Sequence, residues 1–382
     1  MKLILNTKDF KTALNKVLTI IGQEEMKISN YIKLTAKKDQ LNIQANNTDG
    51  AISTTLKAEV NSEGNITISA KLINMLISKL DTNTITLEST KNSLKLNSEG
   101  IKANINIVED HFIEYPLPNN TQTIKINSAE LSKALNNCIP FCNDKAINGL
   151  QGINIKIEKD KIKTIGFSSN LGTIHEQTSE NEQDNNITIL ISKKCANILS
   201  ELSRTSEEEK ITLELKDNLI FFKDTQTLFT GRLLDAKYPQ VEKIFQLKNS
   251  NKKTIDKQKM SKALERINCF IPADTKTPVI FETENNTLTM SIKTELGENI
   301  EKINFEGIPE NKIIALNCDY VLKILKKANN NNIDFYIIDG MNPAFIFTPD
   351  TKFAISPIRN AQVIEKMNQL KKAAENNSAQ AA

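Results

Sequence analysis

Apolar residues recur at helical spacing in three widely separated segments of the chain. In KDFKTALNKVLTII, one such stripe is formed by Phe10, Leu14, Val17 and Ile21, at steps of four, three and four residues. NSAELSKALNNCIPF and DKQKMSKALERINCF show the same pattern, and both contain the string SKAL. The recurrence predicts three amphipathic helices related by internal repetition.

Capping residues and flanking strands support these helices. Asn127 or Ser128 opens the second copy and Asp256 opens the third, and such side chains accept hydrogen bonds from free amides of a first turn. A second helix is predicted later in each copy, in SAKLINMLISKL, SKKCANILSEL and NCDYVLKILKK. Each of these is introduced by a short apolar strand, so every copy alternates strands with two helices.

Strand patterns complete each repeat. After each second helix come two alternating segments rich in β-branched and aromatic residues: TITLESTKNSLKLNS, ITLELKDNLIFFKD and IDFYIIDGMNPAFIFTPD. The chain is therefore predicted to have an α+β fold of three repeated domains, each with two helices packed on antiparallel sheet. The predicted domains are residues 1–122, 123–250 and 251–360, and residues 361–382 form a polar C-terminal extension, helical at first and then disordered.

Charge is nearly balanced in total but is unevenly distributed. The chain has 49 Lys and Arg residues against 46 Asp and Glu residues, so net charge does not identify a polyanion as partner. Basic residues lie on the polar faces of all six predicted helices, whereas acidic clusters such as residues 207–209 lie outside them. Either these side chains are simply solvated, or they form a basic surface that faces DNA. The candidates for that surface are Lys11, Lys71, Lys79, Lys133, Lys193, Lys194, Lys262, Arg266, Lys323 and Lys326.

Location and metal chemistry are constrained by what the sequence lacks. The opening MKLILNTKDF has too short an apolar run for a signal peptide, and no stretch is long enough to span a membrane, so a cytoplasmic protein is expected. Cys138 and Cys142 with His175 are either a zinc site or small buried residues. The buried interpretation is favoured because no second paired motif exists, and no cofactor or metal is predicted.

Several strings carry a resemblance to a known family. They are FTGRLLDAKYPQ at residues 229–240, NCDYVLKIL at 317–325 and ISPIRN at 355–360, with weaker matches in NGLQGI around Gly149 and in the opening MKLIL. In this order and spacing they resemble the bacterial DNA sliding clamp, the β subunit of DNA polymerase III, over residues 1–360. The resemblance implies a diverged processivity factor without a catalytic site, forming a head-to-tail homodimeric ring around duplex DNA of any sequence.

The same resemblance implies a peptide-binding groove between the second and third domains. Through this groove the replicative polymerase, the clamp loader and repair polymerases would bind with short linear peptides. The matching motifs place there Leu150, Phe167, Pro239, Lys243, Ile244, Asn317, Tyr320, Met341, Pro343, Ser356, Pro357, Ile358 and Arg359. Considered singly, Leu150, Ile244 and Ile358 fit an ordinary core equally well.

Three departures from the family pattern keep other functions open. FSSNLG at 167–172 replaces a Thr-Asp-Gly-His-Arg-Leu segment, Gln-Glu-Glu at 23–25 replaces an expected arginine, and residues 361–382 extend beyond the usual end. The alternative is a diverged clamp-like interaction module that does not support the replicative polymerase. An enzyme ranks third, because His111 and His175 lie in no catalytic or metal-binding motif and no glycine-rich phosphate loop exists.

Overall fold

The structure is a computed structural model that describes residues 1–21, 30–109, 112, 115–119, 121–143, 150–178, 186–247, 252–273, 275 and 277–380. His111, Gly149 and the Gln-Glu-Glu segment at 23–25 lie outside the described residues. Among the helices it describes, none combines the length and apolar character that a bilayer crossing requires.

The first repeat begins with a strand that leads directly into a capped helix. Asn6 Oδ1 accepts hydrogen bonds from the backbone amides of Lys8 (2.9 Å) and Asp9 (3.2 Å), which fixes the helix start. Its helices are α1 (Thr7–Leu18) and α2 (Ala70–Ser78). Its strands are β1 (Lys2–Asn6), β2 (Tyr31–Lys37), β3 (Gln40–Asn46), β4 (Gly50–Lys57), β5 (Glu59–Ser62), β6 (Gly64–Ser69), β7 (Thr84–Ser89), β8 (Ser93–Ser98) and β9 (Ile101–Val108).

The second repeat has the same order of elements. Asn127 is its cap, since its Oδ1 accepts from the Glu130 amide at 3.0 Å, whereas Ser128 Oγ donates to the Glu208 carbonyl at 2.7 Å. Its helices are α3 (Ser128–Cys138) and α4 (Lys193–Thr205), with 3-10 helices at Ile139–Phe141 and Val241–Phe245. Its strands are β10 (Gln122–Asn127), β11 (Ile153–Ile157), β12 (Lys161–Phe167), β13 (Leu171–Thr178), β14 (Ile187–Ile191), β15 (Lys210–Lys216), β16 (Leu219–Lys223) and β17 (Thr227–Arg232).

The third repeat again starts from a capped helix, with Asp256 accepting from the Lys259 amide at 2.9 Å as predicted. Its helices are α5 (Lys257–Asn268) and α6 (Cys318–Lys327). Its strands are β18 (Lys253–Asp256), β19 (Val279–Glu284), β20 (Thr287–Thr294), β21 (Gly297–Asn304), β22 (Glu306–Gly307), β23 (Lys312–Leu316), β24 (Asn332–Tyr336), β25 (Ala344–Phe347) and β26 (Thr351–Ile355).

The C-terminal extension is helical over a longer stretch than predicted. A helix, α7 (Ala361–Gln380), continues through the segment that was expected to become disordered. Val363, Met367 and Leu370 are spaced to form one helical stripe, and they pack on a small apolar cluster that includes Ile313 and Ala315 of β23. Burial of this stripe holds the first turns of α7 against the third repeat, so these turns belong to its fold.

The chain divides into two compact units, each described by itself. The first is built mainly from Met1–Asn136 and Ile189–Asp235. Its sheet has thirteen strands in the order β10-β15-β16-β17-β4-β3-β2-β6-β9-β8-β7-β1-β5. Within it the first and second repeats join where β4 pairs antiparallel with β17, from Gly50 opposite Gly231 to Thr54 opposite Thr227. We call this pairing the first seam.

The second unit is built mainly from Asn137–Glu180 and Ala236–Ala382. One of its sheets contains the run β11-β12-β13-β26-β25-β24-β18-β22, and another has the order β21-β20-β19-β23. The second and third repeats join where β13 pairs antiparallel with β26, from Leu171 opposite Ile355 to His175 opposite Thr351. We call this pairing the second seam. Buried faces of α5 and α6 share one apolar core with these sheets.

Candidate peptide groove and basic surface

An apolar cluster covers one face of the second seam. The 3-10 helix after Tyr238-Pro239 buries Val241 and Phe245 against Ile165 and Ile174 of the second repeat. The cluster also contains Phe345 and Ala354 of the third repeat, and Leu150 and Phe167 pack on it while partly buried. An apolar floor contributed by both repeats is therefore present where the groove is predicted.

Backbone hydrogen bonds hold the closing segment ISPIRN beside this floor. The Ser356 amide donates to the Asn170 carbonyl at 2.9 Å, and the Ile358 amide donates to the Ala315 carbonyl at 2.8 Å. Asn317 caps α6 by accepting from the Tyr320 amide at 3.1 Å. These bonds fix two predicted wall segments, and those of Ser356 and Ile358 use only backbone atoms.

Solvent exposure separates surface side chains from core side chains among the predicted groove residues. Ile244 is 40% exposed and Met341 46% exposed, so neither is an ordinary core residue. Lys243 and Arg359 are exposed as well, whereas Ile358 is half-buried. Exposed apolar side chains next to an apolar floor are typical of a peptide-binding surface. The remaining predicted residues, Pro239, Tyr320, Pro343, Ser356 and Pro357, are half-buried.

An ion pair fastens the 3-10 helix to the sheet. Lys156 on β11 donates a hydrogen bond to Glu242. Burial would raise the pKa of the Glu242 carboxyl, but the hydrogen bond and charge of Lys156 outweigh it and hold the pKa below its usual value. Burial also raises the pKa of the Tyr238 hydroxyl. Glu242 is thus charged at neutral pH and Tyr238 is not.

Cys138, Cys142 and His175, for which a zinc site was the less favoured interpretation, are all buried. His175 is fully buried, and its Nδ1 lies 2.9 Å from Thr351 Oγ1 across the second seam. Cys138 is buried and its thiol donates to the Thr164 carbonyl at 3.2 Å, while burial raises the thiol pKa. Cys142 is also buried and is not in a disulfide. In the described part of the chain, no group of three or more His, Cys, Asp or Glu side chains is arranged to hold a metal ion.

Several predicted DNA-facing residues have partners inside the protein. Lys11 donates to the Leu80 carbonyl at 2.5 Å, and Lys323 donates to the Pro140 carbonyl at 2.6 Å with its ammonium 5.4 Å from the Phe141 ring centroid. Lys194 lies 3.4 Å from Asp49. The charges of Lys11 and Lys323 therefore also serve the packing of helix ends.

Arg266 is the most firmly paired of these candidates. Two of its guanidinium nitrogens each donate to Glu301 of β21 at 2.7 Å, and this pairing lowers the pKa of the Glu301 carboxyl. Lys133 and Lys193 are half-buried. Besides the paired Arg266, the exposed members of the set are Lys71, Lys79, Lys262 and Lys326. These four are the strongest candidates for contact with phosphate.

Comparison with known protein families settles the membership of the chain. The N-terminal, central and C-terminal domain models of the DNA polymerase III beta subunit match residues 1–118, 125–240 and 242–356 in succession. The chain belongs to the DNA polymerase III beta subunit family. The resemblance found in the sequence and the three-domain clamp fold are thereby confirmed.

Relatives of this family are distant in sequence but align along nearly their full length. The Beta sliding clamp of Synechocystis sp. is 24% identical over 94% of this chain and 99% of its own length. That of Rickettsia felis is 24% identical over 94% of this chain and 100% of its own length. The low identity fits a diverged member.

Solved clamp structures share the fold. The DNA polymerase III beta subunit of Thermotoga maritima superposes with a TM-score of 0.88 at 18% identity, covering 94% of this chain and all of that one. The DNA polymerase sliding clamp of Bacillus subtilis gives 0.86 at 19% identity, covering 94% and 99%. The three repeats are thus clamp domains, each with helices packed on antiparallel sheet.

Some site residues were missed at the sequence level. Ile165, Ile174 and Phe345 belong to the apolar cluster at the predicted groove, yet each looks like any inward-facing strand residue. Glu242 and its partner Lys156 were also overlooked. A useful signal was present, because the 3-10 helix follows the Tyr-Pro pair directly and carries two apolar residues four positions apart.

Proposed function

We propose that this beta-subunit chain is a non-catalytic processivity factor that encircles duplex DNA as a head-to-tail homodimer and holds partner proteins in its peptide groove. The proposal rests on two observations. Corresponding strands pair in the same register in both seams, and one further strand of each of the two pairing types, β9 and β21, has an edge without such a seam partner among the described strands. By position in the repeat, β9 corresponds to β17, and β21 corresponds to β4 and β13. Unlike ends that fit each other close into a ring when the rotation permits.

Both candidate edges carry exposed apolar side chains. β21 ends its four-stranded sheet, and β9 pairs with β6 only at residues 107 and 108, which leaves residues 101–106 open on that side among the described strands. Ile101 of β9 and Leu72 and Met75 of α2 are exposed in the first unit. Leu296 and Ile300 are exposed at β21 in the second. A subunit interface would cover these residues.

The seam register predicts which residues meet across the subunit interface. In register, Ala103 on β9 corresponds to Phe229 on β17, and Asn299 on β21 corresponds to Ile52 on β4. Phe229 and Ile52 face each other in the first seam. Ala103 of one subunit is therefore expected to face Asn299 of the other, at a Cα separation of about 4.5–5.5 Å that a disulfide can bridge.

Cysteine crosslinking tests this interface. The variant Ala103→Cys/Asn299→Cys, with the exposed Cys269 changed to Ser, should form covalent dimers on mild oxidation. A matched control, Ala103→Cys/Glu301→Cys, is out of register by two residues, about 7 Å along the strand, and should crosslink poorly. A chain that sediments as a monomer, or crosslinks equally in both variants, contradicts the head-to-tail ring.

Encirclement of DNA is tested with the same crosslinked ring. Sequence-independent attraction by exposed lysines weakens in salt, whereas a closed ring on a circle leaves only when the circle is cut. Rings oxidised in the presence of circular plasmid should stay bound through gel filtration in about 1 M salt, where the screening length is only about 3 Å. Linearising the plasmid should release them. Equal loss from circular and linear DNA would contradict threading.

Partner binding separates a processivity factor from the alternative interaction module. The clamp-binding peptide of the replicative polymerase from the same organism should bind the wild-type chain and fail to bind an Ile244→Asp variant, whose change lies on the exposed side of the 3-10 helix. A ring that threads DNA but ignores this peptide favours the alternative. We propose that the clamp loader and repair polymerases use the same groove. The proposed location is the cytoplasm. The proposal includes no cofactor and no catalytic residue.

A further inference from the structure

The loop between β24 and β25 carries Met341, a predicted groove residue whose side chain is 46% exposed. Asp339 gives this loop its shape, since its Oδ1 accepts hydrogen bonds from the backbone amides of Met341 and Asn342, both at 2.8 Å. Its Oδ2 accepts from the Asn342 side-chain amide at 2.9 Å. We call residues 339–342 the Met341 loop. Bonds within a loop fix its shape, whereas contacts with other elements fix its position.

Helix α7 packs directly on the Met341 loop at Gly340, which is buried. A Cβ built on Gly340 would lie 2.8 Å from Val363 Cγ1, 3.2 Å from the Ile313 carbonyl oxygen and 3.6 Å from Met367 Sδ. Gly340 does not lie in the left-handed region of backbone space, so close approach of the helix, rather than backbone strain, requires glycine here. Val363 is only 1% exposed. Its side chain therefore occupies the space that a side chain at residue 340 would need.

The same helix begins where the ISPIRN segment ends. Asn360, the last residue of that segment, caps α7, because its Oδ1 accepts a hydrogen bond from the Val363 amide at 3.2 Å. The Ile358 amide donates to the Ala315 carbonyl, and Ala315 belongs to the apolar cluster on which α7 packs. One helix therefore supports two predicted segments of the groove wall, the Met341 loop and the ISPIRN segment.

We propose that α7 is a positioning element of the peptide groove, which holds the Met341 loop and the ISPIRN segment in the arrangement that receives a partner peptide. This inference rests on the proposed function, because it takes the groove to be the peptide site. The helix acts through Met341 and Ile358 and not by contact with the peptide. A site whose walls must first be ordered binds more weakly, since the ordering opposes association. Loosening α7 should therefore lower peptide affinity and leave the proposed β9–β21 subunit contact unchanged.

Hydrogen–deuterium exchange of the full-length protein tests the positioning without any peptide. In Gly340→Ala, the new Cβ meets Val363 and should push α7 away from the loop, so amides in residues 339–342 and 356–359 should exchange about tenfold faster. Adding Val363→Ala removes Cγ1, the atom in the way, and should restore most of the protection. Leu370→Ala is the matched control, because it removes an apolar contact of the same helix that is not among the atoms nearest Gly340.

Peptide affinity, measured by fluorescence anisotropy, then tests the functional consequence. Gly340→Ala should weaken binding of the polymerase peptide about five- to tenfold, and the double variant should bind within about twofold of Val363→Ala alone. Leu370→Ala should bind within about twofold of wild type even where urea unfolding shows a comparable loss of stability.

Unchanged exchange in Gly340→Ala, or no recovery in the double variant, overturns the proposal. Peptide affinity that simply follows the unfolding midpoint across all variants overturns it as well, because α7 would then serve stability alone. A wild-type chain that binds no polymerase peptide contradicts the proposed function instead, and the exchange measurements still decide whether α7 positions the two segments.

Discussion

The first and second seams pair their strands in the same register but surround that pairing with different side chains. Gly50 faces Gly231 at one end of the first seam, whereas Leu171 faces Ile355 at the same place in the second. At the other end, Thr54 Oγ1 lies 3.0 Å from Thr227 Oγ1, and His175 Nδ1 lies 2.9 Å from Thr351 Oγ1. Both seams thus preserve a side-chain hydrogen bond while its chemistry changes.

This contrast shows what repetition fixes and what it leaves free. The backbone register sets how two clamp domains join, and it recurs because each repeat supplies the same pair of strand edges. Side chains on the faces of the seam are not constrained in that way. The second seam has an apolar floor covered by a 3-10 helix, whereas the described residues of the first seam line a cavity of about 620 Å³, with Gln44 and Ser53 at the corresponding floor positions.

The largest expected effect comes from removing the aromatic centre of each seam. Phe353 and Phe229 occupy the same register position and are both buried, but only Phe353 has a ring neighbour among the described residues, Phe141 at 5.4 Å. Phe353→Ala should lower the free energy of unfolding by about 3–5 kcal/mol, and Phe229→Ala should lower it by about 1 kcal/mol less than that. Urea unfolding measures both. A larger loss from Phe229→Ala would contradict this ranking.

Replacing Gly50 with the residue at the corresponding position of the second seam tests whether the pair of glycines, Gly50 and Gly231, is required. A Cβ on Gly50 would lie 2.2 Å from the Thr230 carbonyl oxygen, which is backbone and cannot move aside without disturbing the seam. Gly50→Leu, the residue of the second seam, should therefore destabilise the protein by about 1–3 kcal/mol. Ala51→Leu is the control, because its side chain faces the cavity. Equal unfolding midpoints for both variants would show that the seam adapts.

The first elements of each repeat were predictable from sequence because local physics determines them. Apolar stripes and the caps Asn127 and Asp256 specify helices whatever their neighbours do. The start of the C-terminal helix was also predicted, whereas the polar composition of its later part favoured disorder. Packing of Val363, Met367 and Leu370 on the cluster that includes Ile313 and Ala315 of β23 is a contact that composition alone did not indicate.

Site residues were less predictable because their roles depend on distant partners. Nothing near Lys323 in the sequence indicates that it binds the Pro140 carbonyl, and nothing near Arg266 indicates Glu301. The groove could be approached only through motifs shared with a family. The first-seam cavity has no such motif, since Gln44 and Ser53 look like ordinary outward-facing strand residues.

A moderate effect is expected when the second seam is given the hydrogen-bonding pair of the first. In His175→Thr, a hydroxyl would face Thr351 and a small cavity would remain where the buried ring was. The free energy of unfolding should therefore fall by about 1–3 kcal/mol. Thr54→His in the first seam is the reciprocal variant and should cost more, because a larger side chain must enter a buried site. Thermal unfolding of both variants checks the order.

The smallest expected effect concerns the ion pair that fastens the covering helix of the second seam. Because Lys156 holds the pKa of Glu242 below its usual value, the stabilisation exists above the unfolded-state pKa of about 4.3 and is lost as pH falls through the folded-state pKa. Glu242→Gln should therefore cost about 0.5–1 kcal/mol at neutral pH and progressively less below about pH 4. The control Glu176→Gln removes a more exposed pair with Lys352 and should cost less. Urea unfolding at several pH values tests this. If the loss of unfolding free energy in Glu242→Gln stays constant with pH, packing of Val241 and Phe245, rather than charge, holds the helix over the seam.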